Sequence, residues 1–108
     1  MTSLKPLSGI RHLLKLNASN NQIKFTFDFA PPANLEWVDY SGNKIVSIQG
    51  AHANPYLKFL YLDNNNISKI DGLINNKSLR LLSLNGNQIE KIENLPSLWI
   101  EELFLSAN

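Results

Sequence analysis

No cysteine occurs in these 108 residues. That absence excludes a disulfide framework and thiolate metal sites, and it points to a reducing, intracellular compartment. Charge of one sign is not in excess either. Ten Lys and Arg stand against nine Asp and Glu, for a formal net charge of +1. Nucleic acids and anionic membranes are recognised through a basic surplus, so neither is an expected partner. No apolar run approaches the roughly 20 residues needed to span a bilayer. The opening stretch, MTSLKPLSGIRHLLKL, breaks up its apolar residues and does not read as a secretion signal. Catalytic groupings are also missing. The two histidines, His12 and His52, are isolated from any acid or thiol in a recognisable pattern. Glu101 and Glu102 are neighbours on an expected strand, so their side chains diverge and make a poor acid/base pair. There is no phosphate loop and no metal-ligand spacing. The expectation is a non-enzyme with no cofactor and no metal.

What the chain does have is repetition. In SLRLLSLNGNQIEKIENL, Leu79, Leu82 and Leu84 precede Asn87, and Ile89, Ile92 and Leu95 follow it. Moved back by 22 residues, the pattern falls on Leu57, Leu60, Leu62, Asn65, Ile67, Ile70 and Leu73. A second step gives Leu35, Val38, Tyr40, Asn43, Ile45, Ile48 and Ala51. A third gives Leu13, Leu16, Ala18, Asn21, Ile23, Thr26 and Phe29. Forward, Ile100, Leu103, Leu105 and Asn108 continue the series with one residue fewer in the step. A period of roughly 20–29 residues with this order marks leucine-rich repeats.

The physics of one unit follows from the pattern. Leu82 and Leu84 alternate with Leu81 and Ser83, so they face inward from a short strand. The Asn ends that strand, and its amide carries donors and an acceptor for backbone groups freed at the turn. Ile89, Ile92 and Leu95 are expected to line the inner side of a returning convex segment. No unit buries its apolar edge alone, so units stack into a solenoid. The fold class is an α/β solenoid, a repeat arc of about five strands. Its concave face is a parallel β-sheet and its convex segments are irregular or 3₁₀. One domain is expected over residues 1–108, with units near 13–34, 35–56, 57–78 and 79–99 and a partial one at 100–108.

Some stretches depart from the pattern. Leu4, Leu7 and Ile10 are in phase with Thr26, Phe29 and Pro32, so Met1 falls on the convex half of a preceding unit. With no convex residues after Asn108, the chain reads as a segment of a longer array or one closed by something else. Phe25, Phe27 and Phe29 alternate, and that segment is expected to be extended. LPSLWIEELFL holds extra residues before the last strand, and Leu98 and Trp99 are expected to bulge. Tyr40 takes an inward Leu position. Asn17, Asn66 and Asn76 each head an N-glycosylation triplet, and none is expected to be modified.

Function is expected on the outward strand positions. They form columns: Lys15, Trp37, Phe59, Leu81 and Glu102; then Asn17, Asp39, Tyr61, Ser83 and Phe104; then Ser19, Ser41, Asp63, Asn85 and Ser106. Trp37, Phe59, Tyr61, Leu81 and Phe104 are thus large apolar groups on a face that would meet water, a combination that marks interaction surfaces. The rival reading is that neighbouring strand residues cover one another and nothing binds. Lys69, Glu90, Lys91 and Glu93 on the convex side read as a solvated face.

The NxIxxIxxL unit at this strict period resembles the leucine-rich-repeat class typified by the nuclear regulator of protein phosphatase 1. That class includes the spliceosomal A-prime protein, the outer-arm dynein light chain and other axonemal proteins. LRLLSLNGNQIEKIENL followed by IEELFLSAN is similar to the dynein light chain. LKPLSGIRHLLKLNASNNQI, then NPYLKFLYLDNNNI, is similar to a repeat protein of the axonemal radial spokes. The resemblance implies a scaffold that binds a protein, such as a helix or an axonemal subunit, on its concave face. It implies a place in a larger assembly, in the cytoplasm or the axoneme of a cilium. The alternatives are a regulatory subunit of a phosphatase or splicing complex, or a targeting domain attached to an enzyme absent from this chain. Extracellular members usually carry disulfide-bonded caps, so the missing cysteines agree with an intracellular setting.

Overall fold

A computed structural model of the chain describes residues 1–8, 10, 12–28, 34–95 and 100–108. Five three-residue strands run β1 (Lys15–Asn17), β2 (Trp37–Asp39), β3 (Phe59–Tyr61), β4 (Leu81–Ser83) and β5 (Glu102–Phe104). They form one parallel sheet in the order β1-β2-β3-β4-β5. The register pairs Leu16 with Val38, Val38 with Leu60, Leu60 with Leu82 and Leu82 with Leu103. The first two outward columns expected from the repeat are therefore real columns of the sheet, and the third lies just past the strand ends. Among the described residues the return segments are irregular, apart from 3₁₀ turns at Lys5–Leu7 and Ala51–Ala53.

Inward residues make one continuous core. Val38, Tyr40, Leu60, Leu62, Leu82 and Leu84 from the strand side are fully buried, as are Ile45, Ile67, Ile70 and Leu73 from the return side. Full burial of such a side chain contributes roughly 1.5–3 kcal/mol, so the central units dominate the stability. The last strand is less enclosed: Leu103 and Leu105 are only partly buried. Ile92, expected to line the interior, is 61% exposed. Ile48 and Ile70 have the next unit stacked over them, and Ile92 in the last full unit does not.

Between strands and return segments runs a spine of asparagines. Asn65 donates from Nδ2 to the carbonyls of Leu62 and Asp63 in its own unit and of Tyr40 in the unit before. Its Oδ1 accepts the Ile45 backbone N–H at 3.0 Å. Asn43 and Asn87 repeat the arrangement, accepting from Ile23 and Ile67. Each amide thus satisfies buried backbone groups in two units at once, and side chain does not bond to side chain. A second pair, Asn54 and Asn76, is buried on the return side, where Asn76 donates to the carbonyls of Ala51 and Asn54. Burial of its amide excludes Asn76 as a glycosylation acceptor, whereas Asn17 and Asn66 are exposed.

The residue before each spine asparagine has a left-handed backbone. Asn20, Gly42, Asn64, Gly86 and Ala107 have φ of 57°, 71°, 56°, 68° and 60°. Asparagine and glycine alternate here for a steric reason. A Cβ on Gly86 would overlap Asn64 Oδ1, and one on Gly42 would overlap Asn20 Oδ1. Only Gly and, more rarely, Asn visit this conformation at low cost.

Two expectations about the first unit change. Phe25 and Phe27 lie in a turn rather than an extended segment, and Phe27 has φ 53°. The cause is Tyr40. Its buried hydroxyl accepts the Phe27 N–H at 2.8 Å, and the two rings meet edge to face with centroids 5.4 Å apart. Burial of the phenol pushes its pKa above the ordinary tyrosine range. The N-terminal segment packs as the convex half of a unit: Gln22 N–H donates to Met1 O, as Lys44 does to Ile23 O. Leu4 is fully buried there, and its N–H and the Ser3 hydroxyl both donate to Asp28. Ile10, at the repeat position of Pro32, is 44% exposed. Phe29, Pro32, Leu98 and Trp99 lie outside the described residues, and with them the expected bulge.

Candidate protein-binding face

Strand alternation sends Lys15, Trp37, Phe59, Tyr61, Leu81, Glu102 and Phe104 to the concave side. The structure groups them unequally. Trp37 on β2 and Tyr61 on β3 are in contact, with ring centroids 5.5 Å apart and planes tilted by 49°. Lys15 Nζ sits 4.4 Å from the centre of the Trp37 ring on the other side, within cation–π range. Phe59 lies beside Trp37 in register and, like Trp37 and Tyr61, is half-buried. Phe104 stands apart: Ser83 separates it from Tyr61 in the column, and it is 43% exposed.

Leu81 differs from expectation. It is 7% exposed, and all three residues of β4 are buried. It stands between Phe59 and Glu102 in its column, so the outward direction does not make it an accessible surface. The apolar area open to water on this face belongs to Trp37, Phe59, Tyr61 and Phe104.

Polar residues frame the aromatics and hold their backbone still. Asp39 Oδ1 accepts the Ser41 N–H at 2.8 Å. Asp63 Oδ1 accepts the Ser83 hydroxyl and the Asn85 N–H, and Asn85 Oδ1 accepts the Ser106 N–H and hydroxyl. These side chains belong to the outward columns read from the sequence, but their part in the face was missed there. The signal was present in the 22-residue spacing of Ser41, Asp63 and Asn85.

The electrostatics are one-sided. Ion pairs among the described residues are Lys58–Glu36 and Lys91–Glu93. Asp39, Asp63 and Glu102 on the concave face have no such partner, and Lys15 is the cation beside them. Three carboxylates against one ammonium leave this face at −2, in a chain whose net formal charge is +1. His12 and His52 are exposed. Among the described residues no group of three or more His, Asp or Glu could hold a metal ion, and no helix is long and apolar enough to cross a membrane.

A family model described as leucine-rich repeats (2 copies) matches residues 33–75 and again residues 55–97. The chain is a leucine-rich-repeat protein. The two matches start 22 residues apart (33 and 55), which is the period of the spine. Among solved structures, this repeat chain is similar to an internalin from Listeria monocytogenes, with 31% identity and a TM-score of 0.77. That similarity covers 98% of this chain and 32% of the internalin chain, so the repeat protein spans about a third of its length. No curated protein matches it. Leucine-rich repeats are protein-interaction modules, and neither comparison singles out an axonemal or phosphatase-regulating relative.

Proposed function

We propose that the chain is a non-enzymatic scaffold that holds a protein partner in its concave face. The observation that carries this reading is the Trp37–Tyr61 pair. Two large aromatics are held in contact on a surface where the core does not need them, because Val38, Leu60 and Leu62 already fill the interior. Trp and Tyr in such a position are typical binding hot spots. Asp39 and Asp63 beside them, without an ion-pair partner among the described residues, favour a partner segment that offers Lys or Arg next to an apolar anchor. Such a segment fits a helix or an extended strand laid across the sheet.

The sequence resemblance to dynein light chains and radial-spoke proteins supports an axonemal assembly as the setting. Under the same proposal the repeat array is one part of a larger structure. The partly buried Leu103 and Leu105 and the exposed Ile92 at the β5 side favour a further repeat or another chain stacked there. Co-purification with mass spectrometry identifies the partner. The joint substitution Trp37→Ala with Tyr61→Ala is then expected to weaken its binding by at least ~2 kcal/mol, while Lys69→Ala on the convex side changes affinity less than about tenfold. Retained binding in the double variant removes the concave face as the site, and loss with Lys69→Ala moves it to the convex side.

A further inference from the structure

We propose that the rim leading into β3 and β4 holds a second site, a cleft that binds a phosphoryl group. Lys58, Lys77, Ser78 and Arg80 line a cleft of about 200 Å³ there. Lys58 and Arg80 are the residues immediately before their strands, and Lys77 and Ser78 come from the loop that leads to Arg80. Their neighbourhood is set by backbone bonds: Lys58 O accepts the N–H of Arg80 at 2.8 Å and of Leu81 at 3.1 Å. The repeat therefore stacks two cations on adjacent rungs. Like charges directly opposite on neighbouring strands are destabilising, and the fold does not call for them, since Glu36 and Glu101 occupy the rungs on either side.

Charge is incompletely balanced within the cleft. Glu36 pairs with Lys58 at 3.1 Å. Lys77 and Arg80 have no ion-pair partner among the described residues. Two uncompensated positive charges remain, beside a hydroxyl. A carboxylate would bring one negative charge and two oxygens. A phosphomonoester brings about −1.5 to −2 and three acceptor oxygens. The donors match the latter: a guanidinium fork for two oxygens, an ammonium point charge and the Ser78 hydroxyl. The cleft lies at the entry to the strands, next to Phe59 and Leu81 but lined by none of the aromatic residues.

Two-dimensional amide NMR of the full chain tests this at constant ionic strength. Inorganic phosphate is expected to give saturable shifts confined to residues 58–59 and 77–81, at least tenfold tighter than chloride. Arg80→Gln and Lys77→Gln should each weaken that binding by about fivefold or more, and Lys69→Gln should leave it unchanged. Glu101→Gln, which removes the carboxylate one rung away, should tighten it. All four are exposed positions, and unchanged dispersion of the remaining peaks reports that the fold is intact. A short phosphoserine peptide, compared with its unphosphorylated form, identifies the source. Tighter binding than inorganic phosphate assigns a phosphorylated side chain, and weaker binding assigns the free ion. Equal shifts with chloride, shifts spread over the surface, or indifference to Arg80→Gln and Lys77→Gln would overturn the proposal.

Discussion

The asparagine spine and the aromatic face are built from the same repeat, yet they differ in what each side chain is attached to. Asn65 is tied to four backbone groups in two units, and nearly all of its surface is gone. Trp37 sits only a few residues before Asn43 in the same unit, and its ring meets the Tyr61 ring and the Lys15 ammonium. Remove the first and a buried backbone donor is orphaned while two buried carbonyls each lose one of their donors. Remove the second and a half-exposed ring contact goes. One position specifies the fold, and the other is available to specify a partner.

The comparison is broken most severely at the spine. Asn65→Ala leaves the Ile45 N–H unpaired in the interior and strips one donor each from the Tyr40 and Leu62 carbonyls, which keep Asn43 and Asn87, and is expected to cost about 3 kcal/mol in urea denaturation. Asn21, half-exposed and donating only to Ala18 O and Ser19 O, should cost about 1 kcal/mol on the same change. Equal losses would mean that the bonds between units are not what the spine contributes.

Next comes the buried phenol. Tyr40→Phe removes the acceptor of the Phe27 N–H and should cost roughly 1–2 kcal/mol near neutral pH. The wild-type pKa is raised in the folded state, so the unfolded chain ionises first. The stability associated with Tyr40 is full below about pH 10, the ordinary tyrosine value, and falls as pH rises beyond it. Melts as a function of pH should show that alkaline loss in the wild type and a smaller one in Tyr40→Phe.

A smaller effect sharpens the contrast between side chain and backbone. Asn64 is exposed, but its left-handed φ means that Asn64→Ala should still cost about 1 kcal/mol, whereas Asn64→Gly should be close to neutral. If thermal melts ranked the two the other way, the side-chain amide and not the backbone would be the reason for asparagine there. The face should be no more sensitive: Trp37→Ala with Tyr61→Ala should lower stability by roughly 1 kcal/mol, the scale of an aromatic pair. A loss like that of Asn65→Ala would show that the pair belongs to the fold.

Much of the spine was legible in the sequence, because a strict period makes every unit a control for the others. The columns of the sheet, down to the shorter step between Leu81 and Glu102, follow from counting. Contacts between units were harder to see. Alternation says that Leu81 points outward, but says nothing of the side chains that cover it. The turn at Phe27 depends on a hydroxyl 13 residues away at Tyr40. Asn54 and Asn76 follow the spine residues Asn43 and Asn65 at equal intervals, a signal hidden by the many other asparagines around them. The alternation of Asn and Gly at positions 20, 42, 64 and 86 has meaning only once the Cβ of one is seen to face the side chain of the next.

The three-residue length of the strands has one more consequence. Strands this short, spaced about 4.8 Å apart, make the concave surface a grid with one outward residue per cell. Each unit is wired to the next largely through main-chain groups and the spine asparagines, which occupy no cell, with Asp63 and Asn85 among the exceptions. Cells can therefore be rewritten one at a time through mutation, and duplication of a unit inserts a whole new row without disturbing the old ones. If the concave face binds as proposed, the residues that choose a partner are separate from those that fold the chain, and one specificity can give way to another through neutral intermediates.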